Sequence, residues 1–342
     1  MTADHDAPLE SVAIIGAGAW GTALAVVLAE RYARVHLWVF EADLAGEMER
    51  TRENRLYLPG VRIPSAVHPT PSLETALALQ RLVIFVVPSH AFRAVLVQAR
   101  PHLEPGTLAV SATKGIEVQS LRTMSRIMQE VLPPAHHPRI AVLSGPSFAR
   151  EVVAGRPTAI VAAAEDTEVA RAVQQAVSGN ALRVYAGTDP LGVELAGAVK
   201  NVIAIAAGVV DGLALGPNAR AALLTRGLAE ITRLGVAMGA RVGTFAGLAG
   251  MGDLILTCTS DLSRNRTVGL ALARGTRLED HLASSKAVAE GVNTCRSVVA
   301  LAERHGVEMP ICRAVHRVLF EGQDPREAVV ELMTRELRFE GD

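Results

Sequence analysis

Residues 12–21 read V-A-I-I-G-A-G-A-W-G, an apolar run that leads directly into three spaced glycines. The run has the composition of a buried strand, and a helical pattern follows it. In such a turn Gly16 permits the tight reversal, Gly18 lets the backbone approach a pyrophosphate, and Gly21 lets the helix pack closely on the strand. The helix N-terminus would offer N–H groups to the phosphates. The position between strand and helix favours dinucleotide binding over a purely structural glycine turn.

Outward from this loop, short β-rich runs alternate with helical patterns up to about residue 189. This alternation predicts βαβ units and a mostly parallel sheet, and the run L-V-I-F-V-V at 82–87 is typical of a strand buried on both faces. The further predicted strands are 35–40, 108–111, 140–143, 158–162 and 183–185.

The second half lacks strand signals and contains long helical patterns. The predicted helices are 190–211, 218–238, 264–273, 294–305 and 311–320, with Gly212, Gly235, Gly275 and Gly322 near helix ends. We therefore predict an α/β protein with two domains. Residues 1–189 would form a Rossmann-like, doubly wound NAD(P)-binding domain, and residues 190–342 an all-helical substrate-binding domain, divided at the turn-like sequence A-G-T-D-P.

Composition excludes several classes of function. The 342 residues carry a formal net charge of -1, which argues against nucleic acid or an anionic membrane as the main partner. The cysteines, Cys258, Cys295 and Cys312, are odd in number and form no C-x-x-C pair, so we expect a reduced cytoplasmic setting and no metal site. The N-terminus lacks the pattern of a signal peptide. The apolar stretch 191–210 contains charged residues and predicts a buried helix, not a membrane span.

Lysine is rare in this chain: Lys114, Lys200 and Lys286 are the only three among 34 basic residues. Lysine can give up a proton in a protein whereas arginine cannot, so a retained lysine can mark a site that needs a titratable amine. We attribute Lys286 to chance. Lys200 lies in A-G-A-V-K-N-V-I-A-I, where a charge is costly unless it has partners, and an amine there could exchange a proton with a carbonyl oxygen that becomes a hydroxyl.

Four other sequences could contribute to a ligand site. Lys114 in S-A-T-K-G follows a predicted strand, and the loop G-P-S-F-A at 145–149 follows the next one, so both should reach the ligand-binding edge of the sheet. Asp253 lies in the glycine-rich G-M-G-D-L. In S-R-N-R at 263–266, Ser263 reads as an N-cap, which would place Arg264 and a helix N-terminus together as an anion site. Two alternatives remain: the loop at 145–149 would be an ordinary αβ connection, and S-R-N-R would be the start of an ordinary capped helix.

The acid after the second strand bears on cofactor choice. Glu41 lies 20 residues after Gly21, where a carboxylate can bind the ribose hydroxyls, and no arginine adjoins it to meet a 2′-phosphate. The sequence therefore favours NAD over NADP. The alternative is that Glu41 only begins the next helix as a first-turn acid.

Together these sequences resemble the NAD(P)-dependent glycerol-3-phosphate dehydrogenase family, bacterial type. The resemblance spans almost the whole chain, and the pairing of K-N with S-R-N-R is more specific than the glycine loop. The matching segments are G-A-G-A-W-G-T at 16–22, L-W-V-F-E at 37–41, N-R-L-Y-L-P-G at 54–60, F-V-V-P at 85–88, T-K-G at 113–115, S-G-P-S-F-A at 144–149, G-A-V-K-N-V-I-A at 197–204, G-D-L at 252–254, T-C-T at 257–259, S-R-N-R at 263–266 and A-E-G at 289–291.

The resemblance implies a soluble, dimeric enzyme that interconverts dihydroxyacetone phosphate and sn-glycerol 3-phosphate with NAD(H) or NADP(H), for phospholipid synthesis. It implies Lys200 as the general acid/base, with Asn201 and Thr257 as accessory contacts. The residues implied to bind substrate are Lys114, Gly145, Ser147, Lys200, Asp253, Ser263, Arg264 and Asn265. Those implied to bind the cofactor are Gly16, Gly18, Ala19, Trp20, Gly21, Phe40, Lys114, Ala149, Arg264, Val288 and Glu290.

One departure from the family pattern concerns the cofactor. Phe40 stands where NADPH-using bacterial members often carry a basic residue or histidine, and V-F-E looks more like the NAD-using eukaryotic form. Two other functions remain open at this point. A related β-hydroxy-acid dehydrogenase would use a carboxylate substrate, and a non-catalytic NAD(P)-binding sensor would leave Lys200, Asp253 and Arg264 without a role.

Overall fold

The computed structural model describes residues 10–284, 289–337 and 339. An eight-stranded sheet has the strand order β10-β9-β8-β7-β6-β1-β2-β5, and β3 and β4 form a separate antiparallel pair. All neighbours in the large sheet are parallel except β8 and β9. The strands are β1 (Ser11–Ile15), β2 (Arg34–Trp38), β3 (Glu53–Asn54), β4 (Leu58–Arg62), β5 (Val67–Thr70), β6 (Leu82–Phe85), β7 (Leu108–Ser111), β8 (Ile140–Ser144), β9 (Thr158–Ala163) and β10 (Leu182–Gly187).

The central strands are buried on both faces. Because side chains alternate along a strand, Val12 and Ile14 of β1 belong to one hydrophobic cluster, whereas Ala13 and Ile15 belong to another. All four residues of β6 are fully buried in the same alternating way. This burial explains the uninterrupted apolar runs and confirms the predicted mostly parallel sheet.

Two features of the sheet differ from the sequence prediction. The strand expected at 35–40 ends at Trp38, and Phe40 is 76% exposed. The edge strand β5 was missed, because V-H-P-T contains a proline and only Val67 is buried.

The helices follow the predicted periodicity with shifted ends. Gly275 and Gly322 have positive φ after helices, as predicted, but Gly235 lies inside α9, where a Cβ atom would come 2.0 Å from Phe245 Cζ. The helices are α1 (Ala19–Leu28), α2 (Ala42–Thr51), α3 (Leu73–Leu77), α4 (Ser89–Ala99), α5 (Met124–Val131), α6 (Ala149–Val153), α7 (Thr167–Val177), α8 (Pro190–Gly212), α9 (Gly216–Ala237), α10 (Val242–Phe245), α11 (Asp253–Thr259), α12 (Arg264–Ala273), α13 (Leu278–Ser284), α14 (Glu290–His305), α15 (Pro310–Phe320) and α16 (Pro325–Met333).

The chain divides into two compact units. One comprises residues 1–114 and 122–194 and contains the sheets; the other comprises 115–121 and 195–342 and is built from helices. The predicted succession of an α/β region and a helical region is therefore confirmed.

Helix α8 is apolar and long enough to cross a membrane, but 94% of its most apolar window is buried within the protein. It is a buried helix, as the sequence predicted. A second apolar stretch, 242–259, also passes a length-and-composition test for a span; it consists of short helical segments and 39% of it is buried.

Helices α8 and α12 touch through their backbones. A Cβ atom at Gly208 would lie 2.0 Å from the Arg266 carbonyl oxygen, and one at Gly269 would lie 1.9 Å from the Ile205 carbonyl oxygen. Any side chain at either position would push the two helices apart. This contact fixes the position of Lys200 on α8 relative to the start of α12.

We predict that Gly269→Ala lowers the free energy of unfolding by about 2–3 kcal/mol, because overpacking at a rigid backbone contact cannot relax locally. The matched control is Gly46→Ala in α2, where a Cβ atom meets nothing within 4 Å. That control should raise stability by about 0.5–1 kcal/mol, since alanine is the better helix former. Urea denaturation of both variants measures the difference, and equal effects would contradict the contact.

Helix α15 is capped by a residue from another helix. The Glu230 carboxylate on α9 accepts hydrogen bonds from the backbone N–H groups of Ile311 (2.7 Å) and Cys312 (3.2 Å), in the first turn of α15. Burial raises the pKa of Glu230 to about 7, against the opposing effect of these two N–H donors. The folded protein thus binds a proton at Glu230 more tightly than the unfolded chain does.

The stabilisation that comes from this raised pKa is present in full below pH 4.5 and is lost as pH rises through about 7. We therefore expect the free energy of unfolding to fall between pH 5 and pH 8, and the fall to be smaller in Glu230→Gln. Denaturant titrations at several pH values measure both slopes. Identical slopes for the two proteins would show that Glu230 does not titrate in this range.

Candidate active site

The glycine-rich loop connects β1 to α1. Gly16 has φ +119°, and a Cβ atom there would lie 2.8 Å from the Val86 carbonyl oxygen; one at Gly21 would lie 1.9 Å from the Gly16 carbonyl oxygen. At Gly18, by contrast, a Cβ atom would meet nothing within 4 Å. Two glycines are therefore required by internal packing, and the third leaves open space beside the loop.

The backbone beside that space has the features of a phosphate site. Gly18 is the N-cap residue of α1. As a glycine it has no side chain that could accept hydrogen bonds from the first-turn N–H groups. Ala19 and Trp20 are the first two residues of the helix. The arrangement of backbone donors and helix dipole is the one that binds phosphate groups.

The end of β2 carries the groups predicted to meet the adenosine. Phe40 is exposed and contacts Trp38 edge-on, with 6.1 Å between ring centroids. Glu41 is the N-cap residue of α2, but its side chain does not cap that helix. Its carboxylate instead accepts a 2.8 Å hydrogen bond from the Tyr57 hydroxyl. Glu41 therefore lies at the start of α2, but its side chain is bound by Tyr57 and does not cap the helix.

Lys114 and the 145–149 loop come together, as predicted. Strands β7 and β8 are parallel neighbours, so the residues that follow them lie at the same edge of the sheet. Lys114 Nζ donates to the Gly145 carbonyl oxygen at 3.1 Å, and Ser147 Oγ donates to the same oxygen at 3.0 Å. Gly145 has φ +141°, and a Cβ atom would lie 2.9 Å from Ile160 Cα, so glycine is required here. Ala149 begins the short helix α6.

Lys200 is buried and has two partners on α11. Its Nζ lies 2.6 Å from Asp253 Oδ1 and 2.5 Å from Thr257 Oγ1. Asp253 is the first residue of α11 and Thr257 lies one turn later, so both side chains are on one face of that helix. Lys200 is 5% exposed and Asp253 is 1% exposed. A carboxylate this close to Nζ favours the ammonium form of the lysine over the neutral amine.

Two asparagines connect three helices beside this pair. Asn265 Nδ2 on α12 donates to Asn201 Oδ1 on α8 at 2.9 Å, and Asn265 Oδ1 accepts from the Gly291 N–H of α14 at 2.9 Å. A Cβ atom at Gly291 would lie 2.6 Å from the Asn201 carbonyl oxygen. Asn265, predicted as a substrate contact, and Asn201, predicted as an accessory contact, thus also link the helices to one another.

The start of α12 has the form expected of an anion site. Ser263 is its N-cap, and Ser263 Oγ accepts from the Arg266 N–H at 3.2 Å, which confirms the predicted cap. Arg264 is the first helical residue and keeps accessible surface. Desolvation by the surrounding chain lowers the pKa of Arg264 and the Glu290 carboxylate opposes that shift. Its guanidinium stays charged, since arginine is not deprotonated in proteins.

Sequence reasoning missed Arg266, the second arginine of S-R-N-R. Its guanidinium is bound by Asp211 Oδ2 at the end of α8 (2.7 Å) and by Asp261 Oδ1 (2.6 Å), and Asp211 also pairs with Arg220. These ion pairs hold the N-terminus of α12 against α8. Nothing in the local sequence distinguishes Arg266 from a surface arginine, because Asp211 lies 55 positions away.

Two residues of the sequence argument, Lys286 and Val288, lie outside the described residues. In the described part of the chain, residues 10–284, 289–337 and 339, no group of three or more His, Cys, Asp or Glu side chains could hold a metal ion.

Comparison with known proteins identifies the family. A model of the NAD-dependent glycerol-3-phosphate dehydrogenase N-terminus matches residues 11–170, and a model of the C-terminus of the same family matches residues 189–330. A glycerol-3-phosphate dehydrogenase [NAD(P)+] of Geobacter sulfurreducens is 54% identical over 331 residues, covering 97% of this chain and 99% of the relative. The chain belongs to the NAD-dependent glycerol-3-phosphate dehydrogenase family. It is an oxidoreductase of the NAD(P)-using bacterial type, as the sequence resemblance implied.

Other members of the family agree in sequence and in fold. The corresponding protein of Syntrophobacter fumaroxidans is 53% identical, covering 96% of this chain and 97% of that one. A crystal structure of glycerol-3-phosphate dehydrogenase from Coxiella burnetii superposes with a TM-score of 0.91 at 41% identity, covering 96% and 99% of the two chains. The Saccharomyces cerevisiae enzyme gives 0.79 at 26%, with 95% and 99% covered.

Solved structures of much lower identity share the fold with this chain. A ketopantoate reductase of Ralstonia eutropha gives a TM-score of 0.59 at 16% identity. The family models and the relatives above 50% identity, by contrast, favour a glycerol-3-phosphate dehydrogenase over the β-hydroxy-acid dehydrogenase and over the non-catalytic sensor.

The burial of the Lys200–Asp253 ion pair predicts that its loss destabilises the protein. Asp253→Asn leaves the Lys200 charge buried beside a neutral amide, and we expect a loss of about 3 kcal/mol or more. The exposed pair Arg171–Glu168, with N···O 3.3 Å, is the matched control, and Glu168→Gln should cost less than about 1 kcal/mol. Adding Lys200→Met to Asp253→Asn should restore part of the loss. Denaturation measures all four proteins, and a cost for Asp253→Asn as small as the control would mean that the pair is not desolvated.

Proposed function

We propose that this protein catalyses the reversible reduction of dihydroxyacetone phosphate to sn-glycerol 3-phosphate with NAD(H) or NADP(H), and that Lys200 is the general acid/base. The observation that carries the proposal is the buried Lys200–Asp253–Thr257 cluster. A buried, charged lysine in a dehydrogenase of this family has a ready chemical use, because the carbonyl oxygen must gain a proton as its carbon is reduced.

In the direction of reduction, Lys200 Nζ donates one proton to the C2 oxygen, and the carbonyl becomes a secondary alcohol. When bound, the nicotinamide cofactor supplies the hydride to C2, or accepts it in the reverse direction. Lys200 is left as a neutral amine and then regains a proton from solvent. Asp253 and Thr257 position Nζ and stabilise its ammonium form between turnovers.

The phosphate of the substrate is a dianion near neutral pH, and the start of α12 suits it. The Arg264 guanidinium and the first N–H groups of α12 would bind it, with Ser263 and Asn265 fixing that turn. We propose that Lys114, Gly145 and Ser147 bind the remaining polar groups of the substrate. Their shared contact at the Gly145 carbonyl oxygen supports one cluster of three residues.

The cofactor would bind at the glycine loop. Gly16, Gly18, Ala19, Trp20 and Gly21 provide the backbone for the pyrophosphate, and we place Phe40 and Glu41 at the adenosine. Glu41 supports a preference for NAD, because its carboxylate can bind ribose hydroxyls and repels a 2′-phosphate. Lys114, Ala149, Arg264, Val288 and Glu290 complete the proposed set.

We further propose a cytoplasmic homodimer that supplies a phospholipid precursor. The three cysteines are buried, and burial raises the pKa of Cys258 and of Cys295 to about 12, which suits thiols that stay reduced and unreactive. Light scattering on the eluted protein tests the dimer: twice the chain mass of 36.1 kDa supports it, and the single chain mass contradicts it.

Replacing Lys200 tests the mechanism. Lys200→Arg keeps the charge but not a transferable proton, and should lower the rate of dihydroxyacetone phosphate reduction about 100-fold or more. The assay follows absorbance at 340 nm with NADH and NADPH in parallel. Arg171→Lys, a change at an exposed position on α7 outside the proposed site, is the control for a conservative basic exchange and should retain the wild-type rate. Near-normal turnover of Lys200→Arg would contradict the assignment, and no turnover of the wild-type protein with either cofactor would contradict the function.

The proton balance predicts opposite pH profiles for the two directions. Oxidation of glycerol 3-phosphate needs the neutral amine of Lys200, which the Asp253 carboxylate disfavours. Its rate should therefore rise towards alkaline pH, while the rate of reduction falls as the ammonium form is lost. Initial rates at saturating substrate from about pH 7 to pH 10, around the ordinary lysine value, measure this. A flat oxidation profile would count against Lys200 as the base.

A further inference from the structure

The sequence N-R-L-Y-L-P-G at 54–60 has no part in the function proposed above. It begins at Asn54 in β3, passes through a tight loop and enters β4. Asn54 is fully buried, which is unusual for an asparagine and requires that its amide be hydrogen-bonded. Its amide nitrogen bonds to Ala17 in the dinucleotide loop and to Thr22 in the first turn of α1.

Asn54 controls the orientation of one peptide group in that loop. Asn54 Nδ2 donates to the Ala17 carbonyl oxygen at 2.8 Å and to Thr22 Oγ1 at 2.9 Å. The described chain contains no cis peptide, so the Ala17 C=O and the Gly18 N–H point in opposite directions. Because Asn54 holds the carbonyl on one side, the Gly18 N–H faces the other side.

The same loop reaches the end of β2. Asn54 Oδ1 accepts from the Tyr57 backbone N–H at 3.0 Å, which fixes the backbone of Tyr57. The Tyr57 ring packs against the core cluster, and its hydroxyl donates to Glu41 Oε1 at 2.8 Å. Burial, and then the hydrogen bond to Glu41, raise the pKa of Tyr57, so the hydroxyl stays protonated and remains a donor.

A neutral donor matters for the charge of the site. If a lysine or arginine held Glu41, its positive charge would compensate the carboxylate and would itself attract a 2′-phosphate. The Tyr57 hydroxyl fixes Glu41 Oε1 without cancelling the negative charge. The carboxylate is thus oriented by a partner that carries no positive charge, an arrangement that suits hydrogen bonds from ribose hydroxyls and disfavours a phosphate in their place.

We propose that Tyr57 is a positioning residue that sets cofactor specificity: by holding Glu41, its hydroxyl favours the cofactor with a free ribose 2′-hydroxyl over the one with a 2′-phosphate. Asn54 anchors Tyr57 to the loop that receives the pyrophosphate, so one segment aligns both parts of the nucleotide site. The inference rests on the proposed cofactor site but not on the identity of the second substrate.

The test is a binding experiment without substrate. Dissociation constants of NADH and NADPH are measured by fluorescence titration for the wild type, Tyr57→Phe, Glu41→Gln and the double variant. Tyr57→Phe keeps the packed ring and loses only the hydroxyl. We expect it to weaken NADH binding about five- to tenfold, the size of a typical net hydrogen-bond contribution, and NADPH binding less than about twofold. In the Glu41→Gln background the same change should leave the NADH/NADPH ratio unaltered.

A second tyrosine in the same unit provides the control. The Tyr32 hydroxyl donates a buried hydrogen bond to the Ala176 carbonyl oxygen at 3.0 Å, away from the loop. Tyr32→Phe should lower thermal stability without changing the ratio of the two dissociation constants. An equal loss for both cofactors in Tyr57→Phe, or a change of ratio that persists without the Glu41 carboxylate, would overturn the proposal.

The outcome separates this inference from the proposed reaction. If wild-type protein binds NADH but does not turn over dihydroxyacetone phosphate, the proposed function fails while the titrations still decide the role of Tyr57. If the wild type turns over the substrate and Tyr57→Phe leaves the NADH/NADPH ratio unchanged, this inference fails alone.

Discussion

The Lys200 ammonium is a charge in a nearly dry helix interface, and the chemistry proposed for the protein depends on the partners that it finds there. Asp253 Oδ1 and Thr257 Oγ1 lie within 2.6 Å of Nζ, on one face of α11. A lysine without them would be neutral at neutral pH or would destabilise the fold. The pair makes a proton available at one defined atom and keeps that atom in one place.

Much of the helical unit can be understood as support for this arrangement. Gly208 and Gly269 let α8 and α12 touch through their backbones, so Lys200 and Arg264 lie on helices that cannot slide apart. Asn265 joins α12 both to α8 and to α14, and Arg266 joins α12 to the end of α8. In the other unit, Asn54 and Tyr57 support the glycine loop and Glu41 in the same manner. In both units, the side chains proposed to bind a ligand are held in position by hydrogen bonds or ion pairs from neighbouring residues.

The sequence predicted the features that have local causes. The apolar strand and three glycines at 12–21, the long helix around Lys200 and the Ser263 cap each follow from a pattern within a few residues. The partners of Lys200 and Arg266 could not be predicted in this way, because Asp253 and Asp211 are 53 and 55 positions distant. Strand β5 was missed since Pro69 breaks the strand pattern, and the link from Asn54 to Ala17 exists only once the loop is folded.

The rarity of lysine allows a direct measurement of the central claim. With only Lys114, Lys200 and Lys286 in the chain, NMR of protein labelled at lysine Nζ and Cε would give three sets of signals, which single substitutions assign. We expect Lys200 to be an ammonium at neutral pH, and Asp253→Asn to make it lose its proton at a lower pH than in the wild type. A neutral Lys200 amine at neutral pH in the wild-type protein, or a titration that Asp253→Asn leaves unchanged, would contradict it.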